Sequence, residues 1–354
     1  NRENMDLKKT DERIAALTRL IQRTPTSECM NYLGDLWMHR SRLHLYDSMT
    51  ESVEFKEAFE LMGSERQAQL SENLWNLTHI QRVQETACFL RRMESRYDLV
   101  KFLNRPAISD DLPWALTYFK YSRESSPIQP LVHLRIAEIK GVIGEARSGD
   151  VDMERALRLA PSNPAFRKVA GIYYLQSGWV DGAIDHLNQY LKLDPRGYQK
   201  LMNVLTGRTS RNIVPVPEEK ILQIIPGNGK MIFDYVDKYM PEDSPQVGEF
   251  LERAASVVLE VKYPKREDNI LLGQIRARQG ELELALDAYE TALRRDPNDL
   301  AVKYETALLL KGVGRLDEAL SRAKELKSRG PKKASYDRLV DEIEQEISTL
   351  NKLN

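Results

Sequence analysis

Apolar residues recur along this chain at three- and four-residue spacing and almost never alternate with polar ones over a strand length. That period puts them on one face of an α-helix, so the chain reads as all-α. Ile14, Leu17, Leu20 and Ile21 predict a first helix, with Thr10-Asp11 as its N-cap pair and Pro25 as its stop. A long second helix is expected from Ser27 through Leu43 and Tyr46, with Gly34 admitting a close neighbour. A short amphipathic piece covers 50–63. Leu70, Leu74, Leu77 and Ile80 then make an apolar face, and Tyr97, Val100 and Phe102 open another helix. Ser109-Asp110-Asp111 followed by Pro113 is a helix start, with Pro in the first turn where its missing N–H costs nothing. Leu339, Ile343, Ile347 and Leu350 predict one terminal helix over 332–354.

The middle and end of the chain carry a longer period. Gly273, Gly280, Ala285 and Pro297 recur as Ala307, Gly314, Ala319 and Pro331, each 34 residues on (for example 314 − 280 = 34). Pro127, Pro161 and Pro195 keep the same step, as do Ala137 and Gly171, and Gly144 and Gly178. Gly178 and Gly280 lie three such periods apart, so two degenerate units are expected over 198–265, with turns at Asn212 and Gln246. Small residues suit close helix crossings, turn glycines suit positive φ, and a terminal Pro ends the second helix.

A 34-residue step with this small-residue code resembles the tetratricopeptide repeat, clearly over 130–197 and 266–331 and faintly elsewhere. The resemblance implies a right-handed α-solenoid of antiparallel helix pairs. It divides the chain into an irregular helical region 1–129, a pair of repeats at 130–197, degenerate units or an insertion at 198–265, a second pair at 266–331, and a capping helix at 332–354. It also implies a concave groove lined by first helices. The positions that match are Ala165, Lys168, Ile172 and Leu175, then Glu267, Ile270, Gln274 and Ala277, then Ala301, Tyr304, Leu308 and Lys311. Some family members clamp a C-terminal carboxylate. Lys168 fits that pattern, but Ile172 and Glu305 stand where Asn and Arg are needed, so a carboxylate clamp is not expected.

The totals narrow the function classes. Lys+Arg is 52 and Asp+Glu is 53, a net charge of −1, so no global field draws the chain to nucleic acid or an anionic membrane. Arg82, Arg91, Arg92, Arg96, Lys101 and Arg105 interleave with aromatic residues, but Glu85, Glu94 and Asp98 break up the patch, and a nucleic-acid face is not expected. Cys29 and Cys88 form no metal or redox spacing. No run of about 18 apolar residues is present. The chain opens on Asn1, so it is expected to be a piece of a longer or processed protein.

Motifs for chemistry are weak. His39, His44, His79, His133 and His186 show no ligand spacing, and Asp110-Asp111 reads as a helix cap. Pro226-Gly227-Asn228-Gly229-Lys230 lacks the hydroxyl residue and preceding strand of a phosphate loop, and reads as a turn. Asn76-Leu77-Thr78 fits a glycosylation sequon on an amphipathic segment. The expected function is a non-catalytic scaffold that holds a peptide or partner helix, with no cofactor and no metal. The alternative is a docking or regulatory region of a larger, membrane-anchored enzyme, as in envelope polysaccharide assembly or secretion.

Overall fold

Three of the glycines at the expected turns, Gly178, Gly280 and Gly314, adopt φ of +80°, +82° and +79°. Each lets a first helix stop and a second helix begin within a few residues. These turns punctuate a chain that is helical in every regular segment of the computed structural model. It describes residues 2–50, 79–92, 96–144, 147–207, 216–241, 243–329 and 334–353. The expectations for 51–63, for Leu70, Leu74, Leu77, Asn76, Asn212 and Pro331, and for the side chains of Arg82, Phe89, Arg92 and Arg96 lie outside the described residues.

The chain divides into two compact units, Asn1–Pro226 and Gly227–Asn354. The first holds α1 (Arg2–Arg23), α2 (Ser27–Thr50), α3 (His79–Arg92), α4 (Arg96–Leu103), a π-helical turn (Ala107–Asp111), α5 (Leu112–Ser125), α6 (Pro130–Ile143) and α7 (Asp150–Leu159). It continues with α8 (Pro164–Gln176), α9 (Val180–Leu193), α10 (Tyr198–Leu205) and α11 (Glu218–Ile224). Neighbours pack as α1 on α2, α2 on α5, α5 on α6, α6 on α7 and α8 on α9. The core runs from Ile80 and Val83 through Phe102, Leu112 and Phe119 to Ile136 and Ile139, with Trp37 and Met38 packed against it. Ile14, Leu33 and Leu36 form a second cluster under α1.

The second unit holds α12 (Gly229–Lys238), α13 (Val247–Leu259), α14 (Arg266–Gln279), α15 (Leu282–Arg295), α16 (Leu300–Gly312), α17 (Leu316–Arg329) and α18 (Ala334–Leu353). Here α12 pairs with α13, α14 with α15, and α16 with α17, while α18 packs on α17. Its terminal core joins Leu286, Ala307, Leu310 and Ala319 to Leu339, Val340 and Ile343 of α18.

The period is visible in the helix starts. First helices begin at Pro130, Pro164, Tyr198, Arg266, Leu300 and Ala334, and every gap is 34 or twice 34 (266 − 198 = 68). Close crossings explain the small residues. A Cβ on Gly171 would lie 2.3 Å from Leu187, and one on Gly273 would lie 2.7 Å from the Tyr289 ring. Ala183, Ala285 and Ala319 are wholly buried.

Several local expectations change. Helix α1 runs straight through Thr10, which bonds back to the Asp6 carbonyl at 2.8 Å instead of capping. Leu20 and Leu350 are exposed, so each stripe is shorter than its apolar spacing suggested, while Val340 joins the core. Gly144 is extended with φ −98°, and the positive φ of that loop falls on Arg147. Helix α10 ends early, at Leu205, and Gly207 takes the left-handed turn.

Candidate protein-interaction face

Helices α14, α16 and α18 start in one register, so corresponding side chains recur every 34 residues along one face of the second unit. Gln274 is exposed there, and Ile270 is half-buried against the Tyr289–Leu293 cluster. Tyr304 is half-buried, its ring 5.7 Å from that of Tyr336. Leu308 is 36% exposed. Lys311 pairs with Glu342 of α18 at 2.8 Å. Between α16 and α18 lies a cleft of about 240 Å³ lined by Tyr304, Leu308, Ser335, Arg338, Leu339 and Glu342. Half of that lining was missed from the sequence, although the signal was present: 304 + 34 = 338 and 308 + 34 = 342. Helix α18 is a terminal cap, and it also contributes a first-helix surface.

The first unit places its candidates differently. Lys168 is half-buried. Burial lowers the pKa of its amine, Lys200 lowers it further, and Asp194 partly offsets both. Ile172 and Leu175, expected on an open groove, are 2% and 0% exposed and offer no surface to a ligand. The reason is packing: α3 lies against both α6 and α8. Gln84 of α3 approaches Gly141, where an added Cβ would sit 2.8 Å from its amide nitrogen. Arg91, expected in a solvated charged helix, donates instead to the last carbonyls of α6: Gly141 at 3.2 Å, Val142 at 2.7 Å and Gly144 at 2.6 Å. It satisfies helix-end acceptors that would otherwise need water.

The polar residues weighed for chemistry also find structural partners. Asp111 makes no cap. Its buried carboxylate accepts from Arg40 Nη1 at 2.8 Å and contacts His44 Nδ1 at 2.7 Å, while Arg40 also reaches Asp11 at 2.7 Å. This ties α1, α2 and the π-helical turn together. Burial raises the Asp111 carboxyl pKa, and its His44 and Arg40 contacts oppose that rise. Asp152 likewise joins three helices through Arg123 at 3.1 Å and Lys140 at 2.6 Å. His133 is wholly buried and donates from Nε2 to the Pro127 carbonyl at 2.8 Å. His186 stacks on Tyr174 and lies 3.1 Å from Arg167. Asn228, from the glycine-rich turn, caps α12 by accepting from Met231 N–H at 3.1 Å. Among the described residues, no group of three His, Cys, Asp or Glu side chains could hold a metal ion, and no helix is long and apolar enough to cross a membrane.

The family profile for the tetratricopeptide repeat matches residues 152–198 and 270–334. The chain is a tetratricopeptide-repeat protein. Its fold is the all-α solenoid of such repeats. Among solved structures, yeast Tom70 is 12% identical, with 99% of this chain and 95% of that one covered and a TM-score of 0.34. A Naa15/Naa10 complex bound to HypK-THB is 18% identical over 74% of this chain, at a TM-score of 0.33, and the match spans only 39% of that chain. A tetratricopeptide-repeat protein from Parabacteroides merdae is 14% identical, with 74% and 87% covered and a TM-score of 0.29. No curated protein matches the chain. The repeats carry a protein-interaction role.

Proposed function

We propose that this tetratricopeptide-repeat protein is a non-catalytic scaffold, and that it binds a peptide or partner helix along α14, α16 and α18. The observation that carries this reading is the cleft between α16 and α18, where two apolar side chains, Leu308 and Leu339, sit beside the Tyr304 and Ser335 hydroxyls, Arg338 and Glu342. Such a site takes an apolar anchor and orients it through flanking polar contacts. Ile270 and Gln274 extend the same face by one repeat, and Lys168 occupies the corresponding register in the first unit. Lys311 is held by Glu342 and shapes the rim of the cleft.

The test is site-specific photocrosslinking in native lysate. A photoreactive residue is placed at Leu308, and a control at Leu284, which is 51% exposed on the second helix α15. The reading expects a discrete adduct from position 308 and none from 284. It also expects that adduct to disappear when Arg338→Glu is added. Equal crosslinking from both positions would move the interface away from the first helices.

A further inference from the structure

Helix α3 breaks the repeat order. It lies between α2 and α5 in sequence, yet it packs against α6 and α8, the first helices of two consecutive repeats. Its apolar stripe Ile80, Val83 and Ala87, at i, i+3 and i+7, is buried. The side chain of Gln84 occupies the space left by Gly141, and Arg91 closes the contact on the α6 carbonyls. This is how an amphipathic helix enters a groove, with apolar anchors on one stripe and a charged residue fixing the register.

The contact differs from a core in one respect. Gln84 is wholly buried, and neither atom of its amide meets a hydrogen-bond partner in the protein. Glu138, one turn before Gly141 on α6, is also wholly buried and leaves its Oε1 unpartnered. Buried polar groups without partners weaken an interface relative to a core that satisfies them.

We infer that the α6–α8 face is a binding site for an amphipathic helix with an apolar i, i+3, i+7 stripe and an arginine about one turn beyond. Helix α3 occupies it in cis, and a partner of that chemistry enters by displacing α3. The inference rests on the first unit alone and does not depend on the α16–α18 cleft.

Two measurements on the full chain decide it. The first is hydrogen exchange of the unmodified protein. Amides of α3 are expected to exchange at least about tenfold faster than those of α6 and α8, as a locally opening element does. A single common rate for all three helices would make α3 part of the core and overturn the inference. The second uses a fluorescein-labelled synthetic peptide of residues 79–92. It is expected to bind a Val83→Asp/Ala87→Asp chain at least about tenfold more tightly than the unmodified chain, because the competing helix in cis is weakened. Adding Gly141→Leu, which fills the Gln84 position, is expected to abolish that gain. Equal binding to both chains, or loss of α6 and α8 protection in the double variant, would overturn the inference.

Discussion

At the scale of single residues, absence of a side chain decides as much as presence. Gly273 faces the Tyr289 ring at a distance no Cβ can share. Gly273→Leu is therefore expected to lower the unfolding free energy by about 1–3 kcal/mol or more, as an overpacked core does. Urea denaturation checks this, and an unchanged midpoint would refute the packing assignment. Glu138 gives a pH signature. Burial holds its carboxyl above the usual 4.5, with Arg135 opposing. Between the ordinary and the raised value, the folded chain binds the proton more readily than the unfolded one. The stability from this group is thus greatest at low pH and is lost as pH rises through the folded value. The unmodified protein is expected to gain stability relative to Glu138→Gln as pH falls from about 7 to about 5. A pH-independent difference between the two proteins would contradict this.

At the scale of elements, the repeats depend on caps and loop clamps that recur at fixed places. Asp299 opens α16 by accepting from the Ala301 and Val302 N–H groups at 3.0 and 3.1 Å, and it also pairs with Arg266 of α14 at 3.2 Å. Asp299→Ala is expected to cost about 1–2 kcal/mol in thermal or chemical unfolding, the usual value of an N-cap. Asn163 caps α8 through Ala165 N–H at 3.0 Å without an ion pair, so its replacement by Ala is expected to cost no more than Asp299→Ala does. If Asn163→Ala proves the more costly, the Arg266 pair contributes nothing.

At the scale of the whole molecule, an array is a chain of nearest-neighbour contacts, so damage stays local. Ile343 is wholly buried in the terminal cluster with Leu310, Ala319 and Ala323. Ile343→Ala is expected to cost about 2–5 kcal/mol of the stability of that end. Amides of α16 and α17 should lose hydrogen-exchange protection while those of α6 and α7 keep theirs. Uniform loss through the chain would mean that it unfolds as one cooperative body rather than as an array.

The sequence by itself determined the class and the beat of this protein. Helical spacing of apolar residues, glycines at turns and prolines at unit ends are local requirements of backbone geometry, and they can be read one segment at a time. The 34-residue step placed the first helices correctly from Pro130 to Ala334, even where the landmarks had vanished. Only the tertiary structure decided which of those helix faces stay open. Ile172 and Leu175 carry the same local pattern as Tyr304 and Leu308, yet the first pair is buried and the second partly exposed. What separates them is long-range packing. Helix α3 returns about 50 residues along the chain to cover α6, as its Arg91–Gly141 bond shows. Contacts at that separation leave no period behind them. Asp111 follows the same rule: a local pattern made it a cap, and Arg40 and His44, 71 and 67 residues earlier, made it a buried ion pair.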